Sequence, residues 1–174
     1  SGIMGVDLSQ GNNGVALLAN AVATAGILYV LISIFGPLSG AHFNPAVSLV
    51  MRVRGDLNNR ELSFYLPAQI LGAIFGVLLA HAMFEQTLIQ PGIRMRTGLS
   101  QYLSEAIATF GLLMTIMMAI KQKSKQTPML VASYIFAAYW FTSSTSFANP
   151  AVTIARSMTQ TFSGIRPEDV IGFI

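Results

Sequence analysis

A short motif that favours helix starts occurs twice in this chain, as Asn44-Pro45-Ala46 and as Asn149-Pro150-Ala151. Asparagine is a preferred N-cap because its side-chain oxygen accepts hydrogen bonds from the free backbone N–H groups of the first turn. Proline is favoured at the first helical position, where its missing N–H is not needed. Each copy therefore predicts the start of a helix. The NH2 group of each asparagine is expected to stay free as a donor to a water or a hydroxylated solute.

Each copy of the motif lies in the same context. It follows a Ser/Gly-rich stretch, Gly36–Gly40 or Thr142–Ser146, which is expected to be non-helical. It precedes an apolar piece of about 8–10 residues, roughly 12–15 Å of helix, which is half of a ~30 Å hydrocarbon core. We therefore predict two half-helices that enter from opposite faces and meet at the middle. Their N-termini carry partial positive charge, which repels cations and hydrated protons.

The composition predicts a membrane protein. Of the 174 residues 53% are hydrophobic and 10% charged, and the mean hydropathy is +0.59. This shortage of charge excludes nucleic-acid-binding proteins, disordered tails and most soluble enzymes. The absence of cysteine excludes a disulfide scaffold and a thiolate nucleophile. A net charge of +3 is too small for a phosphate-binding surface, and the polar segment Ser1–Gly14 does not have the pattern of a signal peptide.

Four membrane spans are predicted, and they are Val15–Phe35, Leu62–Phe84, Tyr102–Ile120 and the shorter Pro128–Thr145. Residues 168–174 are typical of the first turn of a further helix. Three spans, an odd number, separate the two motifs, so the motifs lie on opposite faces. This is an inverted repeat within a single domain of residues 1–174, with partial halves at 15–84 and 100–174. The symmetry predicts six spans, of which one helix at the front and most of one at the back are absent.

Residues Ser39–Val47, Ala68–Ala73 and Asn149–Ala151 resemble the major intrinsic protein family, the aquaporins and aquaglyceroporins. The resemblance runs from about Val15 to Ile174. It implies an all-α membrane protein, an aquaporin-like right-handed helical bundle with six spans and two re-entrant half-helices. It also implies a pore in each subunit of a homotetramer in the cell (inner) membrane. The expected partners are water, small neutral solutes and the lipid bilayer, with no nucleic acid, cofactor or metal.

In that family a selectivity filter occupies four positions at fixed offsets from the motifs, which here are Thr24, Ala137, Ser146 and Val152. Val152 replaces the usual arginine, and Thr24 and Ala137 replace the bulky aromatic and the histidine of water-selective members. Four small uncharged side chains predict a wide filter. We expect a passive channel for water, glycerol-like polyols and metalloid hydroxides such as arsenite or methylated arsenicals, which excludes protons and ions. A bacterial subgroup of the family with valine at this position is associated with arsenical permeation.

Three further residues are pore or loop candidates, each with two interpretations. Glu105, an acid inside a span, relays protons or accepts backbone N–H bonds from the second re-entrant loop, as the family's glutamate does. His42 lines the cytoplasmic vestibule as a pH gate or as a fixed hydrogen-bonding group. Arg156 leans toward the lumen or anchors its half-helix at the outer interface. We favour the loop support, the fixed group and the anchor, and we expect His81 to be interfacial.

Classes of function other than a channel are also considered. A membrane enzyme is disfavoured because the spans offer no paired carboxylates, metal-ligand cluster or Ser/His/Asp arrangement. An active transporter would need a coupling-ion site, and Glu105 is the sole acid within a span. A strict water channel and a non-conducting structural or junctional member of the same family remain as alternatives.

Overall fold

The computed structural model describes residues 1–174 and contains helices without any strand. In chain order the elements are α1 (Gly2–Leu8), α2 (Asn13–Ser39), α3 (Pro45–Arg54), α4 (Asn59–Met83), α5 (Leu99–Lys121), α6 (Thr127–Phe141), α7 (Pro150–Arg156) and a final 3-10 helix (Pro167–Phe173).

Three of the four predicted spans are long and apolar enough to cross a membrane: α2, α4 and α5, with 27, 25 and 23 residues. The fourth, α6, has 15 residues and is shorter than the stretch predicted for it. It ends early because Thr142 is extended, with φ −107° and ψ 141°, and its hydroxyl donates to the Ala138 carbonyl, 2.6 Å away. The Ser/Thr-rich residues that follow therefore form a loop.

The N-terminal segment differs from the sequence prediction, which assigned no element to Ser1–Gly14. Residues Gly2–Leu8 form a helix that packs against α2. The contact is close at Gly5, where a Cβ atom would lie 3.0 Å from the Ala16 carbonyl oxygen. A larger side chain at this position would therefore press against the backbone of the second helix.

The ends of the long helices follow local capping chemistry. Asn58 and Glu61 form a capping box at the start of α4, in which each side chain accepts a hydrogen bond from the other residue's backbone N–H. Gly40 ends α2 in the left-handed region with φ 74°, and its N–H donates to the Gly36 carbonyl, 2.9 Å away.

The chain divides into two compact units, each drawn from two stretches of sequence. The first comprises Ser1–His42 and Leu99–Ala148, and α6 packs there against both α2 and α5. Its core consists of small and medium apolar side chains around one tyrosine, and these are Ala21, Ala108, Leu112, Val131, Ile135, Tyr139 and Ala148.

The second unit comprises Phe43–Gly98 and Asn149–Ile174. Both half-helices, α3 and α7, pack against α4, and they also contact each other. No residue in the most apolar part of α4 is buried, so this part of the helix presents side chains to its surroundings. The final 3-10 helix packs against α7.

A substitution at Gly111 tests the packing of the first unit. A Cβ at this position would overlap the hydroxyl of Tyr134, which donates to the Ala108 carbonyl at 3.0 Å. We expect Gly111→Ala to destabilise the protein by about 1–3 kcal/mol, the usual cost of overpacking. Thermal unfolding in detergent measures this. Gly72→Ala is the matched control, because its Cβ would meet nothing within 4 Å, and an equal loss in both variants would contradict the packing described.

Candidate functional site: the paired half-helix starts and the filter positions

The first motif begins a helix as predicted. Pro45 is the first residue of α3, and Asn44 precedes it with extended backbone, φ −155° and ψ 122°. The Asn44 side-chain oxygen accepts the Ala46 N–H at 2.9 Å. Asn44 and Pro45 are buried and Ala46 is half-buried. The asparagine therefore supplies a partner for a backbone donor that the helix itself leaves unpaired.

The second motif repeats this geometry in a shorter helix. Pro150 begins α7, and Asn149 has φ −159° and ψ 108°. Its side-chain oxygen accepts the N–H groups of Ala151 and Val152, at 3.1 and 3.3 Å. The helix has 7 residues against 10 in α3, so it is shorter than the predicted 8–10.

The amide of Asn149 joins the two half-helix starts within the second unit. Its Nδ2 donates to the carbonyl oxygen of Phe43 at 2.8 Å, and Phe43 directly precedes Asn44. The expectation that this NH2 group stays free was therefore wrong for one of its two hydrogens. The same bond satisfies a carbonyl that lies outside any helix, which explains why the donor is used there.

Left-handed backbone precedes both motifs at matching positions. Ala41 and Phe43 both have φ 47°, three residues and one residue before Asn44. Ser146 and Ala148 have φ 49° and 46°, at the same offsets from Asn149. Non-glycine residues rarely adopt this conformation, and each costs energy that surrounding contacts must supply. The repeat is thus preserved in backbone conformation where the side chains differ.

The Ser/Gly-rich stretch before the first motif is mostly helical, which contradicts one expectation. Residues 36–39 belong to α2, so Gly36–Gly40 is not an irregular segment, and the chain leaves the helix only at Gly40. Thr142–Ser146, by contrast, lies outside any α-helix, as predicted.

Glu105 holds the loop before the second motif. Its two carboxylate oxygens accept the N–H groups of Phe147 and Ala148, at 2.9 and 2.7 Å, and the side chain is buried. One turn earlier on α5, Gln101 donates to the Ser143 carbonyl at 3.0 Å. Hydrogen bonds to an ionised acceptor are stronger than those between neutral groups. This geometry is that of a loop support, and no second acid lies among these contacts.

Thr24 and Ala137 are on the two helices that pack together in the first unit. The Thr24 hydroxyl donates to the Asn20 carbonyl at 2.8 Å and lies 3.3 Å from the Tyr139 hydroxyl. Ala137 is exposed on α6. Tyr139 was not identified from the sequence as a candidate residue. It could have been, because the hydroxyl of a tyrosine in an apolar span needs a hydrogen-bond partner.

Ser146 and Val152 differ in burial and in polarity. The Ser146 side chain is 3% exposed, and its hydroxyl oxygen makes no hydrogen bond within the protein. Val152 lies in the first turn of α7 and is half-buried, and its only polar role is through its backbone N–H. Ser146 belongs to the first unit and Val152 to the second.

His42 and Arg156 are both half-buried. A Cβ added at Gly40 would lie 3.0 Å from His42 Nε2, so the imidazole occupies the space beside the end of α2. Arg156 is the last residue of α7, and its carbonyl accepts the Ile165 N–H at 3.2 Å. The predicted roles of these two residues remain predictions.

His81 lies near the end of α4 and is 1% exposed within the protein, and its expected position at the membrane interface stays a prediction. Its Nδ1 lies 2.8 Å from the Leu88 carbonyl oxygen and its Nε2 lies 2.8 Å from the Thr159 hydroxyl. It therefore connects the end of α4 to the loop that directly follows it and to a loop 78 residues further along the chain. A polar residue in an apolar span indicates that its side chain has hydrogen-bond partners. The sequence alone could not identify the partners of His81.

Asp169 is a second buried polar centre in the same unit. Its carboxylate accepts the Arg96 backbone N–H at 2.7 Å and the Thr97 hydroxyl at 2.6 Å. Arg166 completes the set with an ion pair at 3.1 Å. The hydrogen bond from Arg166, followed by those from Arg96 and Thr97, outweighs burial and lowers the pKa of Asp169 from 3.8 to about 2.

Comparison with known proteins gives the same picture as the geometry. Residues 1–146 match the sequence profile of the major intrinsic protein family. The chain is 54% identical, over all of its 174 residues, to a protein named aquaglyceroporin AqpS from Rhizobium meliloti (strain 1021), of which it covers 74%. It is 37% identical over 103 residues to a probable aquaporin TIP-type RB7-18C from Nicotiana tabacum, with 58% of this chain and 41% of that protein covered. With a probable aquaporin PIP2-8 from Oryza sativa subsp. japonica it shares 34% over 83 residues, 48% of this chain and 30% of the relative.

The apolar helices and the two asparagine-capped half-helices define a class of protein, a multi-pass membrane channel and not an enzyme. The chain belongs to the major intrinsic protein family, the aquaporins and aquaglyceroporins. It is an all-α protein of the cell (inner) membrane and a passive channel for water and small solutes.

Glu105 provides a test of the loop support. Glu105→Gln replaces one acceptor oxygen by an NH2 group, so one of the Phe147 and Ala148 N–H groups loses its partner. Leaving a buried donor unpaired costs about 1–3 kcal/mol. We expect a lower unfolding temperature and a lower water permeability in proteoliposomes. Glu85→Gln, at an exposed position, is the control. Full stability with wild-type flux in Glu105→Gln would contradict the support role.

Asp169 predicts a pH dependence of stability. Because the folded pKa of about 2 lies below the ordinary 3.8, the ionised carboxylate stabilises the fold, and this contribution is complete above about pH 4. It is lost as the pH falls toward 2. Thermal unfolding between about pH 2 and pH 6 should show this loss in wild type and in Glu168→Gln, but not in Asp169→Asn, whose stability is lower at neutral pH. A wild type with the same profile as Asp169→Asn would contradict this.

Proposed function

We propose that this protein is a facilitator for small uncharged hydroxylated solutes, glycerol-like polyols and metalloid hydroxides such as arsenite or methylated arsenicals, with water also passing. Protons and ions are excluded. The observation that carries the proposal is Val152, a neutral side chain directly after the second motif, in the first turn of α7. A filter without a fixed guanidinium leaves more room and binds hydroxyl groups less strongly.

The four residues assigned to the filter by resemblance are Thr24, Ala137, Ser146 and Val152, and their individual contacts support a neutral passage. Two of them, Ala137 and Val152, carry no polar side-chain atom. Thr24 uses its only hydroxyl hydrogen on the Asn20 carbonyl. Ser146 has a hydroxyl without a partner in the protein. The Ser146 hydroxyl is buried, and the other three side chains are apolar or already hydrogen-bonded. None of the four carries a charge, which suits an uncharged solute.

The named relatives support the polyol part of this proposal. The protein that is 54% identical over the whole chain is called an aquaglyceroporin, which indicates glycerol as well as water. The metalloid part rests on the small neutral filter side chains. A trihydroxy metalloid acid is uncharged at neutral pH and similar to glycerol in size and hydroxyl content.

Exclusion of ions is assigned to the two half-helices. Each start carries a partial positive charge of about half an elementary charge, with backbone N–H groups held by Asn44 and Asn149. The bond from Asn149 to the Phe43 carbonyl joins the two starts, so both charges act near the same place. A cation there is repelled by both, while a neutral hydroxyl is accepted.

The remaining candidates have supporting roles in this proposal. Glu105 holds the loop that carries Ser146, His42 lines the inner entrance as a fixed hydrogen-bonding group, and Arg156 anchors α7. The functional assembly is a homotetramer with one pore in each subunit, and the exposed apolar surface of α4 is consistent with burial against lipid or another subunit.

Stopped-flow light scattering on proteoliposomes of the full-length protein tests the proposal. Water, glycerol and arsenite are each expected to enter faster than into empty liposomes, with no accompanying ion conductance. High water flux with exclusion of both glycerol and arsenite would favour a strict water channel. The absence of any flux would favour a non-conducting structural protein.

Val152→Arg should narrow the selectivity. A guanidinium at this position adds volume and charge, so we expect glycerol and arsenite permeability to fall by about tenfold or more while water flux is retained. Val53→Arg is the matched control, since Val53 lies on the other half-helix and is 88% exposed, and it should behave as wild type. Unchanged glycerol flux in Val152→Arg would mean that Val152 does not line the passage.

A further inference from the structure

Tyr139 is a buried polar residue to which none of the roles above has been given. It is 3% exposed, lies in the apolar core of the first unit, and faces α2 from α6. Its hydroxyl oxygen is 3.3 Å from the hydroxyl oxygen of Thr24. A tyrosine hydroxyl in an apolar core usually has a specific partner, because an unpaired hydroxyl is costly there.

The direction of this hydrogen bond follows from the count of hydrogens. Thr24 has a single hydroxyl hydrogen, and it is donated to the Asn20 carbonyl at 2.8 Å. Tyr139 is therefore the donor in its contact with Thr24. The Thr24 oxygen then has one remaining lone pair, so toward a solute it acts as an acceptor in a fixed position.

The same contact selects the rotamer of Thr24. A threonine in a helix divides between two χ1 rotamers because its hydroxyl bonds to the carbonyl one turn back in either of them. Only a rotamer that places the oxygen near Tyr139 gains the second hydrogen bond. Tyr139 itself has no freedom to follow other rotamers, since its ring is enclosed by the core of the first unit.

We propose that Tyr139 is a positioning residue for solute selection, which fixes the Thr24 hydroxyl as an oriented acceptor. This rests on the proposed function, in which Thr24 belongs to the filter. Tyr139 does not contact the solute. It acts through Thr24, so its effect on selectivity depends on the threonine hydroxyl.

Tyr139→Phe removes the donor and keeps the ring. We expect the ratio of glycerol to water permeability to fall about two- to fivefold, which corresponds to the net effect of one hydrogen bond. The matched control is Tyr134→Phe on the same helix, whose hydroxyl donates to the Ala108 carbonyl and not to Thr24. It should leave the ratio unchanged. Equal ratios in Tyr139→Phe and wild type would overturn the proposal.

A double-mutant cycle with Thr24→Val separates positioning from packing. Valine keeps the shape of threonine and removes the hydroxyl, so Thr24→Val should lower the ratio by itself, and Tyr139→Phe should add nothing to it. Additive effects would show that Tyr139 acts independently of Thr24 and would overturn the proposal. NMR of methyl-labelled threonine gives a second readout, in which the Thr24 methyl signal shifts in Tyr139→Phe and not in Tyr134→Phe.

The solute permeability of the wild-type protein distinguishes a failure of the positioning role from a failure of the proposed function. If wild type conducts glycerol and the cycle is additive, the function stands and the positioning role fails. If wild type conducts water and not glycerol, the proposed function fails. The double-mutant cycle is then measured by water permeability. Non-additive effects of Thr24→Val and Tyr139→Phe support the positioning role, and additive effects overturn it. A wild type that conducts neither contradicts both.

Discussion

Backbone N–H groups at a helix start or in a buried loop need hydrogen-bond partners, and three side chains provide them here. Asn44 and Asn149 accept the first free N–H groups of α3 and α7, and Glu105 accepts two N–H groups of the loop before the second motif. Without such partners a helix cannot start in the middle of a bilayer, because each unpaired buried group costs several kcal/mol in hydrocarbon. The starts of both half-helices and the loop before the second motif depend on these bonds.

In the proposed channel, these bonds also determine which polar groups remain for hydrogen bonds to a solute. The Asn149 amide gives one hydrogen to Phe43, and the Thr24 hydroxyl gives its hydrogen to Asn20, so neither is as free as its residue type suggests. The Ser146 hydroxyl has no partner in the protein and is buried. In the filter that we propose, Val152 takes the place of a cation, so charged and polar groups are few, which suits a neutral solute with a few hydroxyl groups.

The features that depend on local chemistry could be predicted from the sequence. The motif predicted both half-helix starts because N-capping involves only three or four neighbouring residues, and hydropathy predicted α2, α4 and α5 within a few residues of their ends. Contacts between remote segments could not be predicted in this way. His81 meets Thr159, and Asp169 meets Arg96, only after the loops have folded. Helix α1 was missed because seven polar and apolar residues carry no clear period, and it is held by packing on α2.

In the proposed function, the channel passes uncharged hydroxylated solutes and excludes protons at the same site. One measurement addresses both parts, namely glycerol influx and internal pH followed together in proteoliposomes that contain a pH-sensitive dye and are held under a proton gradient. We expect rapid glycerol entry while the internal pH changes no faster than in liposomes without protein. Glycerol entry accompanied by rapid collapse of the proton gradient, or no glycerol entry at all, would contradict the proposed function.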